Sequence, residues 1–266
     1  TFEAHVGQHY ALWLQEKGCE NWRDYFVKPT GTKSRVQLLK HGSLWEIPEK
    51  YHYNAWIQEK SNRRLEEHAE KDEPFFLWAS FLDPHGPRIL PEPWRSMYDP
   101  EEMEVPERKK GEHKKNPPHF TYAQVDDKTK NPLQRLWRGL KMAYRAIKFK
   151  RYYNDFKKHG KDSFILHGMH PHFYSKKNLK KEIAAYYGMV SLLDKYVGKI
   201  LDKLEELGME ENTIVVFTTD HGDFFGQHGF VTKGPYHYED LLRIPFIANT
   251  PKTFLPVRSR MPYCRS

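Results

Sequence analysis

Between Leu179 and Leu207 the apolar residues recur every three or four positions: Leu179, Ile183, Tyr186, Val190, Leu193, Val197, Ile200, Leu204 and Leu207. That period lays one apolar stripe along a helix of roughly eight turns. A stripe that long has to be covered by other structure, so it constrains the chain more than any other segment. Asn178 is the candidate N-cap and Gly208 the candidate stop. Shortly after it, Ile214 to Phe217 reads Ile-Val-Val-Phe, a strand expected to be buried on both faces. Phe75 to Phe81 (FFLWASF) is a second expected core strand, and Ile244 to Ala248 a third, shorter one. Strands separated by helices predict an α/β fold, a sheet covered by helices. Further helices are expected over 8–17, closed by Gly18, over about 51–70, and over 133–150 on the pattern Leu136, Leu140, Tyr144, Ile147.

A chain of 266 residues, 38% of them hydrophobic, can bury a large core. No apolar run reaches the ~18 residues that a membrane helix needs, and no basic start leads into an apolar region. The net charge of +8 is unevenly placed. Residues 108–181 carry 21 Lys and Arg against 5 Asp and Glu, and the rest carries 22 against 30. Residues 88–178 therefore read as a basic, loop-rich insertion, and 251–266 as an irregular tail. A basic surface fits a solvated insertion, a polyanion, or the steering of an anionic substrate. It holds no recognisable nucleic-acid-binding motif, so no specific nucleic acid is expected as partner.

The residues with chemistry lie at strand ends. After Phe217 come Thr218-Thr219-Asp220-His221-Gly222, which place a carboxylate and an imidazole at the carboxyl end of a strand. Ligands bind at that edge of open α/β sheets. Gly222 is read as letting the chain turn away. Lys233-Gly234 follow, a cation beside a backbone that can approach an anion. After FFLWASF, His85 stands between Pro84 and Pro87. His167, His170 and His172 crowd together in HGMHPH without a Cys or carboxylate at metal-ligand spacing. Cys19 and Cys264 form neither a disulfide framework nor a metal pair.

The ordered string TTDHGD, GQHG, KGPYHYE and LLRIPFI, with FFLWASFLDPHGP before it, resembles the sulfatase family of the alkaline-phosphatase-like superfamily. The resemblance implies an alkaline-phosphatase-like mixed sheet flanked by helices, with residues 1–250 forming part of a single catalytic domain. It implies a sulfuric ester hydrolase with one divalent cation, generally calcium, and a formylglycine nucleophile made from Cys or Ser in a C/S-x-P-x-R motif. By motif, Asp220 and His221 are implied as metal ligands, Lys233 as a catalytic contact to sulfate, and His85 as a second sulfate or leaving-group contact. His228 in GQHG is implied to line the pocket. The implied partner is a sulfate-ester small molecule or a sulfated carbohydrate.

The C/S-x-P-x-R motif is missing from this sequence, since Cys19 stands in CENWR and Cys264 in CRS. The formylglycine is expected upstream, and so are the family's paired acidic ligands and its Gly-Lys-x-His motif. The chain is therefore expected to be incomplete at its N-terminus, to lack the small C-terminal domain, and not to turn over sulfate esters by itself. Two other readings stay open: a metal-dependent phosphoester or phosphonate hydrolase of the same superfamily, and a non-catalytic polyanion-binding homologue.

Overall fold

The computed structural model describes residues 8–25, 43–71, 73–109, 111–124, 131–158 and 175–250. Helix α1 (Gln8–Glu16) ends where its glycine stands. Gly18, at φ +79°, donates to Gln15 O and Cys19 to Leu14 O, the paired bonds that close a helix at a left-handed residue. Helix α2 (Tyr53–Ala69) is capped by His52, whose Nδ1 accepts the Asn54 N–H at 3.2 Å. Helices α3 (Pro118–Tyr122) and α4 (Pro132–Lys158) lie in the basic insertion, and α4 runs well past the expected end at Lys150. Helix α5 (Lys176–Glu206) starts on Ser175, whose Oγ accepts the Asn178 N–H at 3.1 Å. Asn178 thus lies inside the first turn, because the chain is already helical there. At the far end Gly208, at φ +66°, donates to Glu205 O and Met209 to Leu204 O, the same device that stops α1. A last short helix is α6 (Glu239–Leu242).

The main core forms where α5 packs on α2, with residues of α1 in the same buried cluster. Met189, Leu192 and Tyr196 of α5 are almost wholly buried with Trp13, Leu14, Trp45, Ile47 and Leu90. The buried face is turned from the expected stripe, and Val190 is exposed. Gly188 explains the turn. A Cβ there would run into the carbonyl oxygen of Trp94, so the helix offers its smallest residues to a backbone that passes close by. Glu49 ties this region together, accepting from Lys195 Nζ at 2.5 Å, Trp94 Nε1 at 2.8 Å and Tyr196 Oη at 3.1 Å.

The strands are short and paired in twos among the described residues. β1 (Ser43–Leu44) runs parallel to β2 (Ile89–Leu90). β3 (Val215–Thr218) is antiparallel to β6 (Phe246–Asn249), with Val215 opposite Asn249 and Thr218 opposite Phe246. β4 (Phe224–Phe225) and β5 (Val231–Thr232) form a hairpin. Two expectations are corrected. β3 is not buried on both faces: Val216 keeps 51% of its surface exposed and Phe217 38%, because β6 is its one neighbour among the described residues. Phe75 to Phe81 joins no ladder among the described residues, and Trp78 is 73% exposed. A β-branched or aromatic run states that a strand is apolar, and burial still needs a neighbour on each face.

Candidate active site

The strand end is set by β3. Past Thr218 the backbone leaves the ladder, and Asp220 stands with its side chain mostly exposed. Its Oδ1 accepts the His221 N–H at 3.0 Å. Slight burial works to raise the Asp220 pKa, but His221, backbone N–H bonds and Lys233 outweigh it and hold the carboxyl below its usual value. The carboxylate is thus charged near neutral pH. Gly222 is needed for closeness rather than for turning. Its N–H donates to Leu241 O at 2.9 Å, and a Cβ on it would collide with the backbone oxygen of Asp240 in α6.

His221 has a defined proton. Nδ1 lies 2.8 Å from Gly222 O, and a carbonyl only accepts, so Nδ1 carries the hydrogen. Nε2 then keeps its lone pair. Lys233 Nζ donates to that atom at 2.8 Å, and Asp220 Oδ2 lies 3.5 Å from it. The hairpin brings Lys233 there. Phe224 and Phe230 bury against Tyr236 and Leu241, and Gly226 N–H bonds to Phe230 O at 2.8 Å, so the chain folds straight back and returns Lys233 to the strand end. Two-residue strands carry too little period to be read from sequence. The Gly and His positions of GQHG were the available signal: Gly226, His228 and Gly229 all adopt positive φ in the turn.

His228 sits in a sandwich. Its ring stacks on Tyr238 at 3.8 Å, with Nδ1 2.5 Å from Glu112 Oε1 and Nε2 3.2 Å from Asp240 Oδ2. His113 Nε2 donates to the His228 carbonyl at 2.8 Å, while Asn116 Nδ2 donates to His113 Nδ1 at 3.1 Å. Both ring nitrogens of His228 therefore have protein partners, and the residue binds the turn to α6 and to the insertion.

His85 is exposed, and its Nδ1 donates to Gly86 O at 2.6 Å. Among the described residues no hydrogen bond or ion pair joins it to Asp220, His221 or Lys233. Two buried polar groups anchor its loop. Asp83 accepts from Tyr53 Oη and from Asn54 Nδ2, the latter at 2.7 Å, and burial raises its pKa well above the usual carboxylate range. Arg88, 3% exposed, reaches Glu182 of α5 at 3.0 Å and Asp223 at 2.6 Å. Its guanidinium also lies 4.7 Å from the Phe225 ring centroid. Arg88 is three residues past His85 and Asp223 two past His221, so this part-buried pair joins the two loops. Sequence reasoning passed over Arg88, Asp223, Glu182 and Asp83. Two of them, Asp83 and Asp223, stand inside the motif strings, and Arg88 directly follows one, but their pairing spans the chain.

The family implied by the motifs uses a divalent cation, and the donor set can be tested against one. Asp220 Oδ2 and His221 Nε2 present a charged oxygen and a lone pair, the latter accepting from Lys233 here, 3.5 Å apart. Two donors that share a cation at about 2.0–2.6 Å stand roughly that far apart. They fit as part of a coordination sphere. Among the described residues no group of three or more His, Cys, Asp or Glu gathers to complete it. His167, His170 and His172 lie outside the described residues.

A profile described as Sulfatase matches residues 7–263. The chain is 30% identical over 249 residues to an arylsulfatase of Clostridium perfringens, an overlap of 91% of this chain and 42% of that protein. It is 25% identical over 252 residues to a multifunctional alkaline phosphatase superfamily protein of Trinickia caryophylli, covering 93% of this chain and 42% of the other. The phosphonate monoester hydrolase of Agrobacterium radiobacter superposes with a TM-score of 0.60 at 21% identity, over 92% of this chain and 42% of that one, which shows a shared fold. This chain thus spans 42% of the length of each of these three proteins.

Proposed function

The chain belongs to the sulfatase family, and we propose that its strand-end loop is the metal- and anion-binding part of a sulfuric ester hydrolase site. The observation that carries this is the convergence at His221. A charged carboxylate, an imidazole lone pair and an ammonium meet at one strand end. Asp220 and His221 would hold a divalent cation, which would draw electron density from the oxygens of the ester group. Lys233 adds a positive charge that offsets charge on those oxygens as the bond to the leaving group breaks. His85, exposed on its own loop, is the proposed contact to sulfate or to the departing oxygen, where an imidazole can pass a proton. His228 in the hairpin turn, hydrogen-bonded to Glu112 and Asp240, is the proposed residue lining the pocket.

Calcium is the proposed ion by family resemblance, although the imidazole donor also suits zinc or manganese. The proposed substrates are a sulfate-ester small molecule or a sulfated carbohydrate. The proposed nucleophile, a formylglycine, would come from sequence outside this chain. The apolar faces of β3 and β6 and the aromatic run Phe75 to Phe81 offer the surface that further strands of such a domain would cover.

A second reading, phosphonate or phosphate ester hydrolysis, draws support from the imidazole donor and from the alkaline phosphatase superfamily relative. One experiment separates the two. The whole protein is assayed on an aryl sulfate and a phenyl phosphonate monoester, before and after chelation, with bound metal counted. Sulfate turnover lost on chelation, lost again in Lys233→Ala, and restored by calcium supports the first reading. Phosphonate turnover alone, restored by zinc or manganese, overturns it. Metal-dependent sulfate turnover by residues 1–266 alone would show that the catalytic group lies within this chain.

A further inference from the structure

Helix α4 is inside out. It packs on α3 through Arg145, 8% exposed, and Phe149, 9% exposed, with Tyr122 stacked on Phe149 at 4.5 Å. Arg138, Met142 and Ala146 are partly covered on that same side. The opposite side carries Leu133, Leu136, Trp137, Leu140, Tyr144 and Ile147, which are 78%, 64%, 72%, 57%, 65% and 55% exposed. At 100° per residue these six positions fall within a sector of roughly 100°. An amphipathic helix in a soluble domain turns such a stripe inward. This one buries an arginine and shows its apolar stripe to water, at a length of about 20 Å from Leu133 to Ile147.

Charge separates this surface from the exposed strands. Between Pro132 and Asp155 the helix carries seven Lys and Arg against a single acid, Asp155 itself. Arg135, Lys141, Lys148, Lys150 and Arg151 are exposed. Val216, Phe217, Phe246 and Ile247 show apolar surface without such an excess, as expected of a sheet that further strands would cover. A second copy of α4 would place like charges side by side. A sulfated glycan would meet the cations but leave six apolar side chains in water. An anionic lipid surface takes both, with the stripe in the acyl boundary and the cations among the headgroups. No described helix is long and apolar enough to cross a membrane, so this one would lie in the interface.

We propose that the exposed face of α4 docks the protein on an anionic lipid bilayer. The surface lies outside the strand-end site, so the proposal does not depend on which ester is cleaved. The test is cosedimentation of the whole protein with vesicles of phosphatidylcholine alone or mixed with phosphatidylglycerol, for the native chain and for Trp137→Glu/Leu140→Glu. Both positions are exposed, so the variant is expected to keep its far-UV circular dichroism and its activity. The expected result is binding to anionic vesicles that falls by more than about tenfold on plain phosphatidylcholine, in high salt, and in the variant. Absence of binding to anionic vesicles overturns the proposal, as does binding that survives the variant. A native dimer that Trp137→Glu/Leu140→Glu splits in sedimentation velocity, without vesicle binding, assigns the stripe to a second copy instead. Loss of folding in the variant of the whole protein assigns it to an internal interface, and also overturns the proposal.

Discussion

Replacing Arg88 by Met tests how the two site loops are held together. The side chain is 3% exposed and faces Glu182 at 3.0 Å and Asp223 at 2.6 Å. Glu182 is itself 4% exposed, so the substitution takes the Arg88 cation away from a buried carboxylate. Breaking a buried pair in this way costs about 3–5 kcal/mol. Loss of the contact with Phe225 belongs to the same event and is not added. Against a typical stability of about 5–15 kcal/mol, the variant should unfold at a much lower urea concentration. The double variant Arg88→Met/Glu182→Leu removes both charges, and apolar replacement of a buried pair is often neutral. It should recover more than half of the loss, with Asp223 still partly solvated. Equilibrium urea unfolding of the native chain, each single variant and the double variant gives the coupling directly. A loss below about 1 kcal/mol in Arg88→Met, or a double variant no better than the single, would refute a buried bridge between the loops.

Burial lowers the pKa of His52 to about 3, with Glu49 pulling weakly the other way. The unfolded chain therefore takes up a proton first, near pH 6.5. Stability should fall as pH drops from there toward 3, by up to about 1.4 kcal/mol per unit from this residue. His52→Asn keeps an N-cap acceptor, so its urea midpoint should lose that share of the slope, and an unchanged slope would count against a neutral buried imidazole. Asp83 has the opposite sign: its raised pKa means stability is lost as pH rises above about 4, and Asp83→Asn should flatten that loss. Gly222→Ala drives a Cβ into the Asp240 carbonyl, so it should cost about 1–3 kcal/mol and weaken divalent-metal binding in calorimetry of the whole protein. Gly208→Ala meets open space, so only its left-handed backbone is penalised, and thermal unfolding should report a loss of about 1–2 kcal/mol.

Local chemistry was legible without a structure. Gly18 and Gly208 mark the ends of α1 and α5, because a left-handed stop needs a residue without Cβ wherever it occurs. The strand-loop strings point to Asp220, His221 and Lys233 as one site, and the family profile agrees with the fold they imply. Tertiary structure decided which surfaces acquire neighbours, because that depends on residues far apart in the chain. It left β3 and the aromatic run at Phe75 to Phe81 open, and it turned the apolar face of α4 outward. It returned Lys233 through a hairpin too short to show a period, and it placed the tautomer of His221 through one carbonyl. Arg88 reads in sequence as one cation after a proline. Only packing, which brings buried Glu182 and partly buried Asp223 within hydrogen-bond distance, makes it the link between the two loops.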